Sequence, residues 1–279
     1  MSDEKAKKEQ LVNILKDVGS VAAKIESMGQ DMIQAARLSR DVASPILDVV
    51  TNLPTESLRP GQLDTELASW RDWTESANQL KGSQSPVSSF VAVTSGATNT
   101  AVSFMSTTVF SSPQAQEAKT KFFHVLDRSP LVQQVGSAMV RLGLNSRGGT
   151  ARPAPELLDE AQAALERPVV KDGGPTSVLI TLRESIDAAI TELIRRRPVQ
   201  EKVHGWDGKV LSLGKHCAYS GLSTAHFNRL AAEADRLMDR LSNYKQDSLN
   251  RDAMNEVFIE GITLLKALLD SIDEGKLKP

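Results

Sequence analysis

From Leu11 onward the apolar residues fall at alternating intervals of three and four: Leu11, Ile14, Val18, Val21, Ile25, Met28 and Met32, with Ala35 closing the run. Positions three and four apart share a face only on an α-helix; on a strand the same set would scatter over both faces. The run spans four heptads, the a/d seam of a helix that packs on other helices. Such a stripe does not stay in water, because each fully buried Leu, Ile or Val contributes about 1.5–3 kcal/mol. Two coverings are open: the helices near Trp70 and Phe122 of the same chain, or a second chain. In the second case Leu11, Val18, Ile25 and Met32 are the interaction residues, and the partner is another protein or a second copy.

The same periodicity continues along the chain. "SRDVASPILDVVTNLP" predicts a shorter helical piece interrupted by Pro45 and stopped by Pro54. The next helix starts near Pro60 and buries Leu63, Leu67, Trp70, Trp73, Ala77 and Leu80. Residues 87–112 carry no charge and read two ways. Val87, Phe90, Ala97, Ala101 and Phe104 share a helical face, while Val91 and Val93 against Val102 and Phe104 alternate as a small β-hairpin around "SGATNT". Either form needs a cover, since an exposed Ser/Thr/Val run invites aggregation. After Pro113 come helices with Phe122 and Leu126, then with Leu131, Val135 and Met139. "NSRGGTARPAP" at 145–155 is the best linker candidate by its Gly, Pro and Arg content. A short helix with Leu157, Leu158 and Leu165 follows, then the breaker "RPVVKDGGPTS". Ser177 is placed to cap a helix carrying Leu179, Leu182, Ile186 and Leu193. Beyond a short helix around Val210 and Leu213, long helices run from Ser223 and from Ser248 or Asn250, with Gly275 past the last.

The reading is an all-α, multi-helix bundle of about eight or nine helices. It divides into a helical region at 1–144, a linker with one short helix at 145–176, and a helical bundle at 177–279. Aromatic residues make up only 4% of the chain, which favours helices on helices over a β-sandwich. Basic and acidic residues number 33 and 35, so a surface built to coat nucleic acid is not expected. No run of 18 apolar residues is present, and "MSDEKAKKEQ" has no signal-peptide pattern; the expectation is a cytosolic chain without a membrane span.

The sequences that usually mark nucleotide loops, zincins or hydrolase elbows are missing, and no cofactor is expected. His204, His216, Cys217 and His226 fall close together, yet their spacing matches none of the paired zinc patterns, so no metal is expected either. The chemistry that remains centres on "RRRPVQEKVH", residues 195–204. Arg197 and His204, with six residues between them, could divide a ribonuclease's work: histidine deprotonates a 2′-hydroxyl while arginine steadies the phosphate. Arg195, Arg196, Arg197 and Lys202 could also form a local nucleic-acid patch. The bland alternative is a basic helix end, favoured by the dipole and stopped by Pro198, with "HGWDG" as a turn.

"LRESIDAAITELIRRRP", "LAAEADRLMDRLSNYKQDSLNRDAMNEVF" and "LLKALL", spread over about 177–272, resemble HEPN-related helical domains of bacterial conflict and antiphage-defence systems, of the predicted PIWI-associating nuclease type. Arg183 and Glu184 match the family's first helix, whereas Gln246 stands near the place of its histidine. The resemblance therefore implies a helical defence protein without that family's nuclease histidine. The leading expectation is a non-enzymatic interaction or accessory subunit of such a system; the competing one is a metal-independent, HEPN-like ribonuclease using Arg197 and His204.

Overall fold

The computed structural model describes residues 2–27, 30–79, 86–107, 109–126, 128–145, 152–166, 174–243 and 251–279. Among them are eleven α-helices, and the only extended pairings are two isolated β-bridges. The all-α expectation holds, with more helices than the periodicity predicted. No helix among the described residues is long and apolar enough to cross a membrane. The chain forms two compact units, Met1–Leu126 with Gly221–His226, and Asp127–Ser220 with Phe227–Pro279.

In the first unit the helices are α1 (Ser2–Glu26), α2 (Gln30–Asn52), α3 (Gln62–Gln79), α4 (Pro86–Ser106) and α5 (Pro113–Val125). The seam that reads as one helix from Leu11 to Ala35 is divided between α1 and α2. Leu11, Leu15, Val18 and Ala22 are buried, and α1 packs on α2 and α3. The seam is thus covered from within the chain at Leu11 and Val18. The side chains of Ile25 and Met32, like Met28 itself, lie outside the described residues. α2 continues through Pro45 instead of breaking there. Its buried face of Val42, Ala43, Ile46 and Val50 packs against α1, α4 and α5, which outweighs the roughly 3 kcal/mol a helical proline costs.

Residues 86–106 form one helix and no hairpin. Every residue from Ala92 to Ser106 is buried, with α2, α3 and α5 around it. A helix satisfies its own backbone polar groups and can therefore sit at the centre, where a two-stranded ribbon would leave open edges. Thr98 returns its hydroxyl to the Thr94 carbonyl (3.1 Å), and the Trp73 indole donates to the Val93 carbonyl (2.6 Å). Ser112 caps α5 by accepting from the Ala115 amide, and Pro113 occupies the first turn.

The second unit comprises α6 (Ser129–Arg141), α7 (Ala154–Glu166), α8 (Gly174–Arg196), α9 (Gly205–Cys217), α10 (Thr224–Asn243) from Phe227 on, and α11 (Arg251–Asp270). α11 is its central element, buried from Val257 through Ile272 and packed on α6 and α8. Gly261 permits the approach to α8: a Cβ there would lie 2.9 Å from Leu182 Cδ2. The buried charged residues of α11 are paired: Glu260 receives Arg236 (2.6 Å) and Arg240 from α10, and Lys266 meets Asp270. The expected boundary at 145 falls inside this unit, because α6 buries Leu131, Val135 and Met139 and packs on α7 and α11. The residues read as caps of the last helix, Ser248 and Asn250, lie outside the described residues, as does Gln246.

Each unit closes with the same clasp. Leu58 pairs antiparallel with Phe110 around α3 and α4, and Ala218 pairs with Ile272 around α10 and α11. The bonds repeat in register: Arg59 N–H to Val109 O (2.7 Å) and Ser111 N–H to Ser57 O (2.8 Å), then Tyr219 N–H to Ser271 O (3.1 Å) and Asp273 N–H to Cys217 O (2.8 Å).

Candidate functional site

α8 ends at Arg196 within "RRRP", residues 195–198, and each arginine is engaged differently. Arg195 folds back on Glu192 with two bonds of 2.9 and 2.6 Å, and this carboxylate holds the guanidinium pKa above its usual value. Arg196 donates to the backbone carbonyls of Lys278 (2.8 Å) and Leu142. Gly143 has a φ of +70° and no side chain to obstruct that guanidinium, whose Nη1 would lie 3.0 Å from an added Cβ. Arg197 is only 2% exposed, among the largest fully buried side chains. Its Nη1 donates to Ser212 Oγ (2.5 Å) and its Nη2 to the Glu201 carbonyl, while Nε has no partner.

These bonds tie the segment after α8 to α9. Ser212 Oγ accepts from Arg197 and donates to Glu201 Oε1 (3.0 Å). His216 Nε2 lies 3.2 Å from the same oxygen, and Lys215 Nζ lies 3.9 Å from Oε2. A carboxylate only accepts, so the imidazole carries its proton on Nε2 toward Glu201. Donation by the Ser212 hydroxyl, with help from Lys215 and His216, holds the Glu201 carboxyl below its ordinary range against the opposing effect of burial. The neighbouring Cys217 is fully buried, and burial pushes its thiol upward despite the nearby Arg197 and Lys276 cations. A protonated, enclosed thiol is a poor nucleophile and metal ligand.

A serine, a histidine and a carboxylate thus meet, but in an order unsuited to hydrolysis. Glu201 bridges Ser212 and His216, whereas an activated serine needs the imidazole next to its hydroxyl. What the arrangement does is fix the α8–α9 connection. Of the residues singled out by spacing, Arg197 belongs to this lock. His204 stands at the start of α9, exposed and in extended conformation, with no side-chain capping bond and no bond to Arg197. "HGWDG", read as a turn, opens α9 itself: Gly205 adopts φ +72°, and a Cβ there would collide with Asp207 Oδ1. Lys202 is exposed. Among the described residues no cluster of metal-ligating side chains occurs.

Sequence reasoning missed Glu201 and Ser212, and weighed His216 only as a zinc ligand. Ser212 carried a usable signal, since it sits on the face of α9 that buries Val210, Leu213 and Cys217, where an unpartnered hydroxyl would be costly. Among the described residues four large apolar side chains are open to solvent, and two of them lie at this junction: Val199, 43% exposed, in the connection, and Leu211, 38% exposed, beside Ser212 on α9; the others are Val140 on α6 and Ile180 on α8. Comparison with protein-family models, with curated proteins and with solved structures finds no match to this chain.

Proposed function

We propose that this chain is a non-enzymatic helical interaction subunit, an accessory component of a bacterial antiphage-defence assembly in the cytoplasm, and that the α8–α9 junction is one of its contact surfaces. The observation that carries the reading is the pairing of a rigid polar lock with exposed apolar residues on it. Val199 lies two residues from both Arg197 and Glu201, Leu211 is next to Ser212, and the Arg197–Ser212 bond ties the two chain segments together. Apolar side chains carried on backbone held in place in this way lose little entropy on docking. The defence setting comes from the resemblance of 177–272 to HEPN-related domains. The test is co-expression with the products of neighbouring genes. The wild-type chain co-elutes with one of them, and Val199→Asp with Leu211→Asp abolishes co-elution while leaving the far-UV spectrum unchanged. Cleavage of RNA by the purified chain, lost in a folded His204→Ala protein, would replace this reading with the ribonuclease one.

A further inference from the structure

The geometry points to a second docking surface, a lysine-lined groove on the first unit that takes an acidic peptide segment of a partner protein. The groove has a volume of about 440 Å³ and runs along one face of α1, against the end of α2 and the turn that follows it. Lys5, Lys8 and Lys16 line it, with Glu9 as the single carboxylate among the lining residues. The lysines of α1 are engaged unequally. Lys7, off the groove, is tied to Asp3 and Asp64 at 3.0 Å each, and these carboxylates raise its pKa. Lys8 donates to the Leu53 carbonyl, one of the acceptors left open past the end of α2. Among the described residues no carboxylate lies within ion-pair distance of Lys5 or Lys16, so the lining keeps a net positive charge.

The remaining lining chooses between polyanions. Val12 provides an apolar floor, and Asn13, Thr51 and Thr55 supply donors and acceptors suited to a peptide backbone. No arginine and no aromatic ring is among the lining residues. Phosphate recognition favours the arginine fork, and single-stranded nucleic acid favours aromatic stacking. From Lys5 to Lys16 the helix rises about 16 Å, the length of about five extended peptide residues. α1 packs on α2 and on the turn that follows it, the elements that line the groove.

This surface does not depend on the α8–α9 reading, and its test keeps the two apart. Fluorescein-labelled poly-L-glutamate is titrated with the full chain at low ionic strength and followed by anisotropy, with labelled oligothymidylate of similar length as the comparator. Polyglutamate binds, the oligonucleotide binds more weakly, and a Lys5→Glu, Lys16→Glu protein with an unchanged far-UV spectrum loses about tenfold or more in affinity. Lys24→Glu, on α1 but outside the groove, changes it by less than about twofold. The Val199→Asp, Leu211→Asp protein binds polyglutamate as wild type does. Absence of polyglutamate binding, equal loss in the Lys24 variant, or tighter binding of oligothymidylate would each overturn the proposal.

Discussion

A guanidinium that is 2% exposed and bonded through both terminal nitrogens leaves polar partners stranded when it is altered. Arg197→Lys keeps the charge but cannot reach Ser212 and the Glu201 carbonyl with one fork, and should lower unfolding free energy by about 1.5–3 kcal/mol in urea titrations. Arg195→Ala leaves the buried Glu192 carboxylate without its two guanidinium bonds, although Arg195 itself is half exposed, and should lower the urea midpoint. The Glu201 carboxyl gives the lock a pH dependence. Its pKa is depressed below the ordinary 4.5, so its stabilising effect is present above that value and is lost as pH falls through the folded-state pKa. Amide exchange over 199–204, corrected for intrinsic rates, should therefore accelerate on acidification below about pH 4.5, and Glu201→Gln should flatten that response. Little of this was legible beforehand. Spacing drew attention to Arg197, but its bonds run to Ser212, fifteen residues away, and no linear pattern of residue types encodes that meeting.

Helical periodicity located most of the elements, because burial of one face governs both the pattern and the packing. Leu63, Leu67, Trp70 and Trp73 on α3 and Leu182, Ile186 and Leu193 on α8 are buried where the threes and fours place them. The failures occur where tertiary packing overrides local preference. Pro45 is carried inside α2, and the Ser/Thr-rich α4 stays helical because all its faces are covered. If packing alone holds α2 together at that point, Pro45→Ala should restore a backbone bond and raise stability by about 1–3 kcal/mol, read as a higher melting temperature. Close approach between helices leaves almost no trace in a single sequence. Gly214 on α9 faces Phe227 of α10 so tightly that a Cβ would collide with the ring. Gly214→Ala should cost about 1–3 kcal/mol, although alanine is the better helix former.

Across the whole chain, two units each place one largely buried helix, α4 or α11, inside an antiparallel clasp with the same bond register. The sequence gives little sign of this repeat, because the two central helices solve burial differently. α4 carries uncharged Ser, Thr and Asn, of which Thr98 and Ser106 bond back to its own backbone, whereas α11 carries Glu260, Lys266 and Asp270 held by ion pairs. The division between units rests on contacts that composition does not display. A Gly/Pro/Arg-rich stretch looks like a linker between domains, yet α6, which precedes it, packs on α11 and α7. The boundary therefore follows the contacts of α6 and not the composition of 145–155. A fragment starting at residue 128 retains Leu131, Val135 and Met139, all fully buried, while a fragment starting at 145 leaves the α11 surface beneath them uncovered. Three such side chains represent roughly 5–9 kcal/mol of burial, comparable to the whole stability of an ordinary domain. The 128–279 fragment should express in soluble form with a cooperative thermal transition, and 145–279 should be insoluble or melt without cooperativity. Equal cooperative melting of both fragments would show that α6 is dispensable and would return the boundary to the stretch near 145.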